Sequence, residues 1–203
     1  LAQTEDVENL NRSFQSELSQ AKQEVEALKS ALEASRQDAL IDELTQIGNR
    51  RAFDQAIESA LSDNKGGTHL LLMDLDHFKQ CNDTYGHVMG DRVLERMGAI
   101  LKAAASANVQ VMRYGGEEFA AIVSGAQSEA LEVAEGIRRK VGGIRITQVG
   151  SSDTLSISVG LASARKAEEA SQLKVRADEA LYQAKDTGRN RVCVSDSNMA
   201  ITG

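Results

Sequence analysis

The chain has 203 residues, of which 41% are hydrophobic, 26% charged and only 3% aromatic, with a formal charge of −7 and an isoelectric point near 5.1. That length holds one domain of about 150 residues plus an appendage, with a core of Leu, Ile, Val and Ala, and excludes a multi-enzyme chain. The acidic balance argues against a nucleic-acid partner, because duplexes are held mainly by neutralising their phosphates; a small phosphate ligand stays open. No run of about 18 apolar residues and no basic-then-apolar leader occurs, so this segment is expected to make no membrane contact and to be cytoplasmic. Cys81 and Cys193 form no Cys-x-x-Cys pair and lie far apart, which points to neither zinc nor a disulfide framework. A chain beginning at Leu1 reads as cut from a longer one, with any upstream sensory domain outside it.

Residues 1–41 lack Gly and Pro and carry a seven-residue register, with Thr4, Asn11, Leu18, Val25, Leu32 and Ala39 at a and Val7, Phe14, Ala21, Leu28, Ser35 and Asp42 at d. Val25 at a beside Leu28 at d favours a parallel two-stranded coiled coil, and Asn11 at a fixes its register. A helix over 4–41 would be roughly 55 Å long, too long to stand alone on a small domain. The pattern predicts a dimerising, signal-transmitting stalk; the plainer alternative is one amphipathic helix folded back on the body. From residue 42 short apolar runs alternate with amphipathic stretches, as in a mixed α/β domain over 42–194. The expected elements are a turn over 42–49, a helix over 50–62, a strand over 69–76, a helix over 91–105 and a strand over 110–114. A Gly115-Gly116 hairpin then returns as a strand over 118–123, followed by a helix over 128–141, a strand over 154–161, a helix over 171–185 and a short strand over 191–194. The core order is β-α-β-β-α-β, the ferredoxin-like α/β arrangement, with 195–203 as a loose tail.

A right-handed crossover makes the 69–76 and 110–114 strands parallel, so their carboxyl ends share an edge. Asp74 and Asp76 then converge with Glu117 and Glu118 of the hairpin, since residues two apart on a strand face one way. Gathered carboxylates repel unless a cation neutralises them, and hard oxygen ligands suit Mg²⁺ or Mn²⁺ rather than zinc. Mg²⁺ binds through one or two carboxylates plus substrate phosphates, which points to a nucleoside triphosphate. Read separately, Asp-x-Asp at a strand end is an ordinary cap or solvated pair, and Gly-Gly-Glu-Glu is a plain hairpin. Together at one edge they are far more specific.

The segment Arg113-Tyr114-Gly115-Gly116-Glu117-Glu118-Phe119 resembles the signature of the GGDEF family of diguanylate cyclases in its Gly-Gly-Glu-Glu-Phe form. The resemblance runs over 42–194. It includes Asp42-x-Leu44-Thr45, Asn49-Arg50-Arg51, Asp74-x-Asp76-x-Phe78-Lys79, Asn82-Asp83-x-Tyr85-Gly86-His87-x-x-Gly90-Asp91 and Ala180-Leu181-Tyr182-x-Ala184-Lys185-x-x-Gly188-Arg189-Asn190. Gln46 departs from it, standing where the family usually has Gly, at the hinge between stalk and domain.

The resemblance implies two Mg²⁺ or Mn²⁺ ions per active site, held by Asp74, Glu117 and the Leu75 carbonyl with Glu118 close by, and Asp76 behind these ligands. It makes Glu117 the base for an attacking 3′-hydroxyl and groups Lys79 with the catalytic residues; Lys79, Lys185 and Arg189 face the triphosphate, and Phe78 belongs to the substrate pocket. Gly115 and Gly116 lack Cβ atoms, so the nucleotide approaches the backbone closely, and an Ala there is expected to block it. Asn82 and Asp91 match guanine-reading positions: a carboxylate accepts from guanine N1–H and the 2-amino group, which adenine cannot offer. Asp91 could instead cap the following helix, and His87 stands between a nucleotide contact and a structural hydrogen bond. His69 and His77 read as structural or solvent-exposed. One hairpin and one guanine pocket per chain hold one GTP, so cyclic di-GMP would form across a homodimer. The Arg-x-x-Asp product-inhibition pair of many family members is replaced by Ser106 and Val109, so no feedback through that route is expected. A silent GTP-binding or product-sensing module and a cyclase making an adenine-containing dinucleotide are the other classes. The intact acids weigh against the first and Asp91 against the second.

Overall fold

The computed structural model describes residues 20, 22–26, 29, 40–62, 67–148 and 151–195. They belong to two units, Leu1–Leu40 and Ile41–Gly203. In the first, Gln20, residues 22–26 and Lys29 are helical and solvent-exposed. Most of the seam expected over 1–41 lies outside the described residues, as does the tail beyond Ser195.

In the second unit, α1 (Arg50–Ser62) precedes β1 (Thr68–Leu75), α2 (Phe78–Tyr85), α3 (His87–Lys102), β2 (Val109–Arg113) and β3 (Glu118–Ser124). Then come α4 (Gln127–Val141), β4 (Arg145–Gln148), β5 (Ser151–Thr154), β6 (Ile157–Ser163), α5 (Ala170–Asp186) and β7 (Val192–Val194). Five strands form one sheet in the order β2-β3-β1-β6-β7, while β4 and β5 pair as a separate hairpin. Both β1 and β2 run antiparallel to β3, so they are parallel to each other with β3 between them. This is the expected ferredoxin-like order, extended by β7 lying parallel beside β6.

The β1 run His-Leu-Leu-Leu-Met is apolar without alternation because the strand is central and buried on both faces. Leu70, Leu72, Ala120 and Ile122 meet Phe53 and Ile57 of α1 and Leu173, Ala177 and Leu181 of α5 on one face. Leu71, Met73, Phe119 and Ala121 meet α3 and α4 on the other. Each such fully buried Leu, Ile or Phe stabilises the fold by about 1.5–3 kcal/mol. Helix α5 approaches β6 closely at Gly160, where a Cβ would collide with the Ala177 carbonyl and the Leu181 backbone. That contact sets the height at which the last turn of α5 overhangs the end of β1.

Two expectations are corrected. The helix placed at 91–105 is α3, which begins four residues earlier at His87 and ends at Lys102, and a helix that was not expected, α2, precedes it; the two meet at Gly86 in an extended, positive-φ conformation (φ 81°, ψ 159°), and Phe78 and Cys81, buried at a three-residue spacing, are the signal for α2. The strand placed at 154–161 is β6, beginning three residues later, and the stretch before it forms the β4–β5 hairpin.

Candidate active site at the carboxyl end of β1

The sheet register gathers the acids. Asp74, the penultimate residue of β1, lies directly across the ladder from Glu118, the first residue of β3, and the Leu75 N–H donates to the Glu117 carbonyl at 3.3 Å. Residues 114–117 therefore turn over the end of β1, with the Tyr114 and Gly115 N–H groups both bonded to the Glu118 carbonyl. Asp74 shares a face with Leu70 and Leu72, the face that α5 covers, and the last turn of α5 places Lys185 Nζ 2.8 Å from Asp74 Oδ2. Burial raises the proton affinity of the Asp74 carboxyl; Lys185 opposes this, the charge on Asp76 adds to it, and Arg189 opposes it, with the net displacement upward. Glu117 is raised as well, by burial first, then by Asp74 and Glu118 against the pull of Lys185.

Two mutually repelling hard-oxygen groups beside the Leu75 carbonyl fit a divalent cation of the Mg²⁺ type. Among the described residues no three His, Cys, Asp or Glu side chains are drawn into a preformed metal cage. Mg²⁺ does not demand one, since water and substrate phosphate complete its shell. Glu118 is exposed, and a Cβ added at Gly115 would meet its carboxylate. The expectation that an Ala at either glycine simply blocks the nucleotide is refined accordingly. At Gly115 the first group displaced is Glu118 itself, whereas among the described residues a Cβ at Gly116 meets nothing.

Asp76 does not join the cluster. Only 6% exposed, it accepts from Ser158 Oγ on Oδ1 and from Ser156 Oγ on Oδ2, both at 2.7 Å, and from the Asn190 N–H at 3.0 Å. The four-carboxylate rim of the sequence analysis is therefore a three-carboxylate rim.

The hairpin is clamped from outside the sheet. Arg113 donates to the Gly115 and Gly116 carbonyls at 3.2, 3.2 and 2.7 Å and to both oxygens of Asp42 at 3.2 and 3.3 Å. Asp42 in turn accepts from the N–H and hydroxyl of Thr45, closing a turn in which Gln46 takes a left-handed φ of 56°, the conformation that suits the glycine usual there. Tyr114 packs edge-on against Phe53 and carries the Arg50 guanidinium 4.8 Å above its ring.

A second feature lies where α2 meets α3. Asn82 Oδ1 is buried and, among the described residues, has no hydrogen-bond partner. A Cβ at Gly90 would collide with it and would lie 3.3 Å from the Phe78 ring. A side chain at position 90 would therefore have to displace the Asn82 amide, which keeps this acceptor and the Phe78 ring packed against the backbone of α3. Asp91 follows Gly90 and is exposed, in the second turn of α3. It is therefore not that helix's N-cap, a position held by Gly86. Phe78 is buried, while Lys79, His87 and Arg189 are exposed. His77, exposed, has φ 59° at the start of α2. His69 is a buried structural residue far from this rim, bonded to Ser163 Oγ at 2.8 Å and to the Gly125 carbonyl at 2.9 Å.

Residues 39–191, three quarters of the chain, match the diguanylate cyclase GGDEF domain. The chain belongs to that family. It is 32% identical over 196 residues to diguanylate cyclase VdcA of Vibrio cholerae, covering 95% of this chain and 58% of that one. The crystal structure of the coiled coil and GGDEF domain of DgcB from Caulobacter crescentus, in complex with c-di-GMP, superposes with a TM-score of 0.79 at 34% identity, over 90% of this chain and 99% of that one. Diguanylate cyclase SiaD of Pseudomonas aeruginosa, solved with its activator SiaC, gives 0.78 at 27% identity over 96% and 76%. The chain spans about half the length of the curated relatives it matches.

The GGDEF domain holds functional geometry that sequence reasoning missed. The partners of Asp76 come from β6, the residue before it and the α5–β7 loop, 80 to 114 positions away, and nothing local announces them. The Arg113–Asp42 pair spans 71 positions, but Asp-x-x-Thr is a recognisable self-capping turn and was the available hint.

Proposed function

We propose that this GGDEF domain is a diguanylate cyclase that joins two GTP molecules into cyclic di-GMP, releasing two pyrophosphates, across a pair of facing chains. The observation that carries the reading is the rim: Asp74 opposite Glu118, with the Leu75 N–H tied to the Glu117 carbonyl. Two ions of the Mg²⁺ or Mn²⁺ type, held by Asp74, the Leu75 carbonyl and Glu117 with Glu118 close by, would neutralise the attacking and leaving oxygens of an in-line displacement. Glu117 accepts the proton of the 3′-hydroxyl. Its burial beside Asp74 raises its proton affinity, which suits a general base. Lys79, Lys185 and Arg189 bring positive charge to the triphosphate, with Lys185 exchanging Asp74 for phosphate oxygens.

Asn82 and Asp91 read guanine above Phe78, and the orphaned Asn82 acceptor gives this a physical basis. The peptide backbone at Gly115 and Gly116 lies against the nucleotide, and His87 is within the exposed mouth of the site. One hairpin and one guanine cradle per chain bind one GTP, so the reaction needs a homodimer. Pairing of residues 1–41 as a coiled coil would raise the local concentration of catalytic domains and set their alignment. Val109 lines a groove with Glu129 and Glu132, whose charge repels a cyclic dinucleotide's phosphates, in keeping with no product inhibition there.

Incubation with GTP, ATP and Mg²⁺ followed by chromatography tests the reading. Cyclic di-GMP should form from GTP alone, Glu117→Ala should lower its rate by about 10³-fold, and Asp91→Ser should lower GTP use by about 10²-fold. Absence of turnover by the unaltered chain, or equal use of ATP, would overturn it.

A further inference from the structure

The five residues Thr187–Arg191 between α5 and β7 carry three successive positive φ angles, 117° at Gly188, 60° at Arg189 and 48° at Asn190. Glycine adopts such angles freely, but two consecutive side-chain-bearing residues do so only where their surroundings over-determine the backbone. Here those surroundings are explicit. The Arg189 N–H donates to the Ala184 carbonyl at 2.9 Å, closing α5, and the Arg191 carbonyl accepts from Val159 of β6 at 2.9 Å. Arg138 of α4, itself paired with Glu135 at 2.9 Å, donates to Asn190 Oδ1 at 2.9 Å and to its carbonyl at 3.3 Å. The Asn190 N–H, at the fourth position of the loop, donates to Asp76 at 3.0 Å.

Asp76 suits that task. Two serine hydroxyls at 2.7 Å hold its oxygens, Ser158 is fully buried, and the strand below is fixed by the Asp76 N–H donating to the Ser156 carbonyl at 3.0 Å. All three donors to the carboxylate are neutral, so it is immobilised without being discharged. One residue before the anchored amide stands Arg189, whose side chain is exposed and whose positive charge favours the ionised form of Asp74. The backbone places the loop beside the rim, because Lys185, four residues before Arg189, reaches Asp74 at 2.8 Å and Asn190, the residue after it, is bonded to Asp76 at 3.0 Å.

We propose that Asp76 is a positioning residue: by anchoring the Asn190 amide it holds the Gly188–Asn190 loop so that Arg189 stands at the Asp74 rim, where it meets the phosphate oxygens of the nucleotide. The assignment of phosphate to that rim rests on the function proposed above; the anchor itself does not. It separates two carboxylates of one Asp-Leu-Asp run into a group for the reaction and a group for the loop.

The test uses the full chain with Asp76→Ala, Asp76→Asn, Arg189→Ala and the Asp76→Ala/Arg189→Ala double variant. Initial rates against GTP should show Asp76→Ala raising KM about tenfold with kcat changed less than about threefold, and adding less than about twofold once Arg189 is absent. Asp76→Asn should recover most of the loss, because its amide oxygen still accepts from Asn190. Trypsin cleavage after Arg189, followed by mass spectrometry, should quicken about tenfold in Asp76→Ala, more than cleavage after Arg and Lys elsewhere in the domain. A fall in kcat at constant KM, multiplicative losses in the double variant, or unchanged cleavage would overturn the proposal. Should Asp76→Ala fail to fold, Ser156→Ala/Ser158→Ala, which loosens the carboxylate without removing it, should show the same pattern at about threefold. A chain that turns over no GTP would sink the functional reading, while the cleavage comparison would still decide the anchor.

Discussion

Asp74 and Asp76 leave the end of β1 two positions apart, nearly equally buried at 7% and 6% exposure, and the regions around them are opposite in kind. Toward the hairpin, Asp74 faces other carboxylates and is partnered by Lys185 at 2.8 Å, an ammonium on a flexible stem that incoming phosphate can attract away. Toward β6 and the α5–β7 loop, Asp76 is held by two hydroxyls and a backbone amide, none of which a substrate can displace without breaking the fold. In the function proposed above, the same residue type acquires a reactive role where its partners are charged and exchangeable. It acquires a scaffolding role where they are neutral and fixed.

Identical substitutions at Asp74 and Asp76 should separate the two regions by the widest margin. Asp74→Asn should lower GTP turnover by about 10³-fold, the scale of removing a group that stabilises charge at the reacting centre, while Asp76→Asn should cost less than about tenfold. Steady-state rates across a Mg²⁺ titration would measure both, and only Asp74→Asn should shift the Mg²⁺ requirement. Equal losses would erase the distinction between the two regions.

A smaller effect is expected from the outer support of the hairpin. Arg113→Lys keeps the charge facing Asp42 but loses the planar fork that holds the Gly115 and Gly116 carbonyls together. Glu117 then loses part of its orientation, and kcat should fall about tenfold with the GTP KM nearly unchanged. A rise in KM alone would mean that the clamp serves substrate binding rather than the alignment of Glu117.

Much of this was legible in the sequence because it is local. Unbroken apolar runs marked β1 and β3, and the Gly-Gly turn marked the hairpin. The crossover rule placed Asp74 and the hairpin acids at one edge, which the β1–β3 register bears out. What escaped depends on neighbours remote in the chain. The Asp-Leu-Asp spacing put Asp76 in the acidic cluster, yet Ser156, Ser158 and Asn190 claim it, and no periodicity encodes that choice. Helix α2 was lost because eight residues, with two buried at a three-residue spacing, give too short a run to stand out from a loop. The alternative that Asp91 caps a helix arose because the helix start was set at the wrong residue; with α3 beginning at His87, its carboxylate is exposed on the second turn.

The weakest and most discriminating consequence concerns acid. Burial pushes the Asp42 carboxyl up, but hydrogen bonds from Thr45 and Arg113 and the Arg113 charge outweigh it and leave it below its ordinary 3.8. Unfolded chains therefore bind a proton on this group in a pH range where the folded chain does not, so acidification through that range favours unfolding. Asp74 and Glu117, raised above their ordinary 3.8 and 4.5, have the opposite sign: lowering the pH through their folded-state values relieves repulsion at the rim. The clamp should thus weaken in acid while the rim relaxes. Asp42→Asn retains the acceptor for Thr45 and loses the charge facing Arg113, so it should cost about 1 kcal/mol near neutrality. That cost should stay constant down to about pH 5 and shrink as the pH falls below the ordinary carboxylate value. Urea unfolding of both chains at a series of pH values measures the gap. A gap that stays constant through this acid range would remove Asp42 from the acid-sensitive groups and leave the Glu168–Arg176 pair, whose carboxyl is likewise depressed, as the source of acid lability.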